Sequence, residues 1–136
     1  MRTLLSLPYL HVSLHAGPTP VLELEWLGYA PSADFRAAAL QALALSQQHL
    51  VRAWVVDDRR LGAVRPRDLE WAEQAILAPL DQDGLQRFAQ LEPLDALNRH
   101  VIGGMYAHAQ LTLSFKVQNF EDINEARAWA AAPWPD

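Results

Sequence analysis

The run at residues 51–56 constrains this chain's fold more than any other stretch. After Arg52 it holds only Ala53, Trp54, Val55 and Val56, and Asp57, Asp58, Arg59 and Arg60 follow at once. A strand that alternates keeps one face for water, whereas a strand without alternation is covered on both faces, as in the interior of a parallel sheet. The rest of the chain must then supply helices that cross over such a strand in a right-handed sense. In open α/β sheets, ligands and partners gather at the carboxyl ends of the strands and the helices that follow them. That rule singles out Asp57, Asp58, Arg59 and Arg60, with Arg67 and Trp71 in the helix expected to start at Pro66.

The flanking sequence supplies the remaining elements. Leu10, Val12 and Leu14 alternate with His11, Ser13 and His15; after a turn at 16–20, Leu22, Leu24 and Trp26 alternate with Glu23 and Glu25. This is the pattern of an antiparallel hairpin with one polar face. Pro8 interrupts the short apolar run before it, and residues 1–10 read as part of the mature protein rather than a leader. Ser32 is placed to cap a helix over 32–49, with Asp34 in its first turn and Phe35, Ala39, Ala42, Leu43 and Ser46 on its inner stripe.

Pro66 suits the first turn of the second helix, where its missing N–H costs nothing. Trp71, Ala75 and Ile76 form that helix's inner face up to Pro79, and a loop at 81–84 leads to a strand over 86–91. Asp95 opens a helical stretch toward Ala107 that Gly103 and Gly104 break, each glycine costing about 1 kcal/mol in a helix. Leu111, Leu113, Phe115 and Val117 alternate with Thr112, Ser114, Lys116 and Gln118 as a half-exposed strand. Asn119 then caps a last helix with Ile123, Ala126 and Trp129 facing inward. The order β-β-α-β-α-β-α-β-α predicts an α/β fold with a mixed, mostly parallel sheet and an N-terminal β-hairpin. A length of 136 residues and 51% hydrophobic composition fit one domain over 1–136, its core at about 9–131.

Composition excludes several functions. Eleven basic residues are scattered through a chain of net charge −5, which gives no electrostatic footprint for nucleic acid or an anionic membrane surface. No window approaches the roughly 20 apolar residues of a membrane span. With no cysteine, disulfides, thiolate catalysis and cysteine-held metals are ruled out, and the expected location is cytoplasmic.

The element order, with Trp26-Leu27-Gly28, the segment 53–60 (AWVVDDRR), 66–71 (PRDLEW) and 119–129 (NFEDINEARAW), resembles the bacterial STAS-like proteins. The similarity covers roughly residues 21–131 and points to the small stand-alone proteins related to the anti-sigma-factor antagonists, most of them of unknown function. The resemblance implies a STAS-like fold and a non-enzymatic, regulatory or protein-binding role. Those antagonists carry a phosphorylatable Ser or Thr in the loop entering the helix after the central strand. Here no Ser, Thr or Tyr lies between Asp57 and Glu73, so that phospho-switch is missing.

Other chemistries find less support. Val55-Val56-Asp57-Asp58 is similar to the acidic pair of response-regulator receivers, but a later acceptor Asp is lacking, and the only lysine, Lys116, lies within an alternating strand. Two adjacent carboxylates offer too few oxygens for magnesium, and pairing with Arg59, Arg60, Arg65 or Arg67 is the plainer expectation. His11 and His15 share a strand face opposite Glu23 and Glu25, and cross-strand His–Glu pairs are commoner there than a metal site. His100 and His108 are expected to be structural. Trp26, Trp54, Trp71 and Trp129 belong to apolar faces; Trp134, in the tail, either tucks back or anchors a second subunit.

No phosphate loop, catalytic-triad spacing or cofactor fingerprint is present, and neither a catalytic residue nor a metal or cofactor is expected. The leading expectation is a non-enzymatic domain that binds a protein partner, or a second copy as a homodimer. Asp57, Asp58, Arg59, Arg60, Arg67 and Trp71 would form that surface, beside the region 95–106. The alternative is a carrier of a small apolar ligand or lipid, because residues 98–108 combine Met105, Tyr106 and two glycines; an enclosed pocket is its distinguishing sign.

Overall fold

Ala53–Asp57 forms the interior strand the sequence demands, and every one of its residues is buried. Its neighbours emerge on both sides in a computed structural model describing residues 1–133. The strands are β1 (Arg2–Ser6), β2 (Leu10–His15), β3 (Val21–Trp26), β4 (Ala53–Asp57), β5 (Arg87–Leu91) and β6 (Lys116–Phe120), arranged in one sheet in sequence order. β1, β2 and β3 are antiparallel, and β3 through β6 run parallel. The register sets Trp54 beside Leu22 and Phe88, and Val56 beside Leu24 and Gln90.

Strands joined in sequence by right-handed crossovers place their connecting helices on one face. On that face lie α1 (Ser32–Gln48), the continuous helical segment α2 (Pro66–Ala72), π turn (Glu73–Leu77) and α3 (Ala78–Gln82), and α4 (Ala96–Ala109). Phe35, Ala38, Ala42, Leu69, Ile76 and Ile102 of these helices pack on Leu22, Leu24, Trp54, Val56 and Phe88. The opposite face has α5 (Ile123–Ala131), whose Ala126 and Ala130 cover Val21, Ala53, Val55, Ala89 and Leu91. Alternation on β2 and β3 divides these faces: Leu10, Val12 and Leu14 join the helix-side core, while His11, Ser13 and His15 share the other face with Glu23 and Glu25.

Several boundaries differ from expectation. β1 lies ahead of residue 9 and makes the N-terminal unit a three-stranded meander rather than the expected hairpin; Pro8 lies in the turn between β1 and β2. The final strand is Lys116–Phe120 and not 111–118, and Leu111 is 81% exposed. Phe115 is buried in the core and Leu113 packs against it; residues 111–113 are held by turn hydrogen bonds to the end of α4, and the Ser114 N–H donates to Asp81 Oδ1 at 3.0 Å. Asn119 therefore lies in β6, and Asp122 caps α5 by accepting from the Asn124 N–H at 2.8 Å. Helix α4 continues through Gly103 and Gly104 without a break, capped by Asp95. The helix after Pro66 passes Pro79, and the π turn sits just ahead of it, where Pro79 has no N–H to return to the carbonyl four residues back. Ser32 is the first residue of α1 and makes no capping bond; its hydroxyl donates to Asp68 at 2.6 Å. Trp134 lies outside the described residues.

Candidate functional site

The tetrad 57–60 stands at the carboxyl end of β4, but its members face different ways. Asp57 follows Ala53 and Val55 onto the α5 face, where it is buried and takes Arg59 in a bidentate pair, Nε to Oδ1 at 2.9 Å and Nη2 to Oδ2 at 2.8 Å. The Arg59 backbone N–H also donates to Asp57 Oδ1 at 3.1 Å. Arg60 and Arg67 are exposed. Trp71 is half-buried and is covered by Arg36, whose guanidinium carbon lies 5.2 Å from the ring centre, rather than by the tetrad's arginines. Arg36 and Ser32 both bond Asp68. Burial would raise the Asp68 carboxyl, but those two donors outweigh it and hold the group below its usual range.

Asp58 faces the interior. It is 2% exposed, its backbone N–H bonds the Leu91 carbonyl, and its Oδ2 accepts from Gln90 Nε2 at 3.0 Å. Among the described residues, its Oδ1 is the buried side-chain polar atom left without a hydrogen-bond partner. Burial drives its pKa up to about 7, Gln90 works against that rise, and the neighbouring Asp57 charge adds to it. The arginine pairing expected of both carboxylates thus holds for Asp57 and fails for Asp58.

On the helix side the core is not fully packed, and the gap is a cleft half open to solvent rather than an enclosed pocket. A cavity of about 70 Å³ is walled by Trp26, Trp54, Val56 and Phe88 from the sheet, Phe35 and Ala39 from α1, Ile76 and Leu77 from the π turn, and Met105 and Tyr106 from α4. Its aromatic wall is ordered by contacts: Trp26 on Phe35 at 5.1 Å, Trp54 on Phe88 at 6.2 Å and Tyr106 on Phe88 at 5.3 Å between centroids. Trp54 is fixed by an Nε1 hydrogen bond to Ser46 Oγ at 2.8 Å. The Tyr106 phenol is raised well above its usual pKa by burial, with the Asp58 charge contributing. Met105 and Tyr106 are the residues singled out in 98–108, and they line the cavity; Gly103 and Gly104 are exposed on the outer side of α4.

Sequence reasoning missed two residues of this site. Gln90 continues the face of Phe88, and Asn98 is buried with its Nδ2 donating to the Leu61 and Gly62 carbonyls at 3.0 Å, which ties α4 to the loop after β4. Gln90 could have been noticed as the polar residue inside Phe88-Ala89-Gln90-Leu91; Asn98 leaves no comparable mark. Three of the five histidines pair with a carboxylate: His15 with Glu23 at 2.9 Å, His11 with Glu25 at 4.0 Å and His108 with Glu73 at 2.9 Å. Among the described residues no three His, Asp or Glu side chains converge on a point where a metal ion could sit.

No protein-family model matches the sequence. No curated protein matches it. A solved structure does: an uncharacterized protein of the DUF3478 family with a SpoIIAA-like fold from Shewanella loihica PV-4, with a TM-score of 0.62 and 15% sequence identity, covering 93% of this chain and 97% of that one. The chain has the SpoIIAA-like, that is STAS-like, α/β fold. Among the described residues no helix is long and apolar enough to cross a membrane.

Proposed function

We propose that the protein is a non-enzymatic, cytoplasmic STAS-like domain that binds a small apolar molecule in its helix-side core. The observation that supports this is the cavity of about 70 Å³ between Trp54, Phe88, Ile76, Met105 and Tyr106. Cores pack like organic crystals, with few voids larger than water. An apolar guest of the right size would cover the apolar wall of this half-open cleft, at about 25 cal/mol per Å² removed from water. An engineered cavity of about 150 Å³ admits benzene, so this one takes a few heavy atoms or the end of a longer apolar chain.

Native mass spectrometry of freshly purified protein tests the reading: a bound mass is expected, along with quenching or shift of Trp26 and Trp54 fluorescence when short apolar compounds are added. Ala39→Leu, filling the cavity from α1, is expected to raise Tm and abolish that response. A bare polypeptide mass together with an unresponsive wild-type protein would refute the proposal.

A partner-binding reading is favoured by a separate observation. Leu94 and Leu97 are 71% and 72% exposed, and Leu94 and Phe120, with Arg59, Arg99, Glu92 and Glu121, line an open groove of about 570 Å³ at the ends of β4, β5 and β6. An apolar pair, Leu94 and Phe120, flanked by charges of both signs fits the apolar centre and charged margin of a protein interface, to a second copy or another protein. In this reading Asp57 holds Arg59 in place, Asp58 braces the loop from within, and Arg67 and Trp71 extend the surface along α2. Pull-down of a complex that persists when Arg59 and Arg60 are both changed to Glu excludes this surface.

A further inference from the structure

On its own face of the sheet α5 packs on Val21, Ala53, Val55, Ala89 and Leu91, and beside the helix the sheet stays uncovered. A cleft of about 220 Å³ opens there, lined by Ser13 of β2, Glu23 and Glu25 of β3, Asp57 at the end of β4, Arg59 just beyond it and Arg127 of α5. An antiparallel sheet can give one face to water. These side chains are not simply solvated, however: Ser13, Glu23 and Asp57 are only 8%, 8% and 5% exposed. Charged groups held that far from water need partners.

Two of the three carboxylates have them. Glu23 accepts from Nε and Nη2 of Arg127 and pairs with His15, and Asp57 takes the same edge of Arg59. Glu25 has no such partner. It stands beside Asp57 on the neighbouring strand and two residues from Glu23 on its own, and its ion-pair contact among the described residues is His11 at 4.0 Å, beyond hydrogen-bonding range. With neutral histidines, three carboxylates and two guanidiniums leave one negative charge over, and it falls on Glu25, whose side chain is 40% exposed.

Donors are left over as well. Each guanidinium gives its Nε–Nη2 edge to its carboxylate, so Nη1 has no partner among the described residues, and both side chains are about one-third exposed. Each arginine is held in its charged form first by its own carboxylate, and the Glu25 charge adds to this in both, which sets the two forks and Glu25 in one electrostatic neighbourhood. The Ser13 hydroxyl, on a residue more than nine-tenths buried, lines the same cleft and makes no side-chain hydrogen bond among the described residues.

We propose that this cleft binds a small zwitterion of the amino-acid class, its ammonium on Glu25 and its carboxylate on the spare N–H groups of Arg59 and Arg127, with Ser13 as a further donor. A bare anion meets the uncompensated Glu25 charge, and a bare cation leaves the arginine N–H groups unanswered; a ligand with both charges uses every spare group. The site lies across the sheet from the apolar cleft at Trp54 and Phe88 and does not depend on it.

Titration of the intact chain at about pH 8, where histidine is ordinarily neutral, tests this with four probes: 2-aminobutyrate, 4-aminobutyrate, butyrate and butylamine. Backbone amide NMR shifts of Ser13, Glu25 and Arg127 report binding. One of the two zwitterions is expected to bind at least roughly tenfold more tightly than butyrate and butylamine, and Glu25→Gln to cut that affinity roughly tenfold while leaving butyrate no weaker. Butylamine or butyrate binding as tightly as both zwitterions overturns the proposal, as does a zwitterion affinity unchanged in Glu25→Gln. If none of the four moves those amides, the face is a set of ion pairs without a ligand. The wild-type ranking of the probes decides by itself should Glu25→Gln fail to fold.

Discussion

Asp58 combines a charge-bearing group, near-complete burial and no cation, and the consequence is a stability that depends on pH. Its pKa is 3.8 in an ordinary setting and about 7 in the folded protein. Between those values the folded state holds a proton that the unfolded chain has released, so raising the pH draws the equilibrium toward unfolding. The loss accumulates from about pH 4 to about pH 7 and then levels off, at a total on the order of 4 kcal/mol. Glu23 and Asp68 have lowered pKa values and act in the opposite direction at lower pH, so the comparison must be made against a variant. Asp58→Asn cannot ionise and keeps an acceptor for Gln90; in urea denaturation it is expected to exceed wild type by several kcal/mol at pH 8, with the gap closing toward pH 4. A gap that stays constant over that range contradicts the buried titration. Leu50 is strained in a different way: its φ is 53°, it is 79% exposed, and it ends α1 in a Schellman turn, with Leu50 N–H on Gln47 and Val51 N–H on Ser46. Glycine adopts that backbone without the side-chain clash. Leu50→Gly is accordingly expected to stabilise the protein by about 1 kcal/mol, raising Tm by roughly 4 °C in calorimetry.

At the scale of elements, the central strand and its covering helices were legible because their signals are periodic and long. β4 shows no alternation, α1 carries a buried stripe, and β2 and β3 alternate cleanly. The errors fall where local pattern and tertiary contact part company. Residues 111–118 alternate as a strand would, yet a strand forms only where β5 offers a partner, and pairing starts at Lys116 opposite Arg87. β1 is short, partly exposed and paired on one side, so its sequence carries little of the burial that would announce it. The site was half legible: position and polarity mark residues 57–60, but nothing in Asp-Asp-Arg-Arg tells which carboxylate meets an arginine and which turns inward. Strand alternation decides it, with Asp57 on the α5 face and Asp58 on the helix face. The tie between α1 and β4 gives this level its prediction. Ser46 Oγ accepts the buried indole N–H of Trp54, so Ser46→Ala leaves that donor unpaired and is expected to cost about 1–3 kcal/mol in chemical denaturation. In a Trp54→Phe background the same change should cost much less, because the donor is gone; equal costs in both backgrounds would show that the bond contributes nothing.

Over the whole molecule the sheet is covered unequally, by three helical segments on one face and by α5 alone on the other. That single helix closes the fold by returning the end of the chain to its beginning. Arg127 of α5 grips Glu23 of β3 through Nε to Oε1 at 2.7 Å and Nη2 to Oε2 at 2.8 Å, and Thr19 Oγ1 donates to the Ala131 carbonyl at 2.6 Å. Burial alone would raise the Glu23 carboxyl, but Arg127 and His15 prevail and lower it. A lowered carboxyl stabilises the fold above its unfolded pKa and loses that contribution as the pH falls through its folded value. Removing the cation strands a largely buried carboxylate, which is more damaging than removing both partners together. Arg127→Met is therefore expected to cost about 2–3 kcal/mol at pH 7, short of the 3–5 kcal/mol of a fully buried pair because Arg127 is one-third exposed. Adding Glu23→Gln should restore part of that loss, since a neutral amide needs no counter-charge. The cost of Arg127→Met alone should also shrink as the pH falls and Glu23 takes up a proton. Denaturation curves of the single and double variants at pH 7 and pH 4 measure all of this, and a double variant less stable than Arg127→Met would show that α5 is held by packing alone.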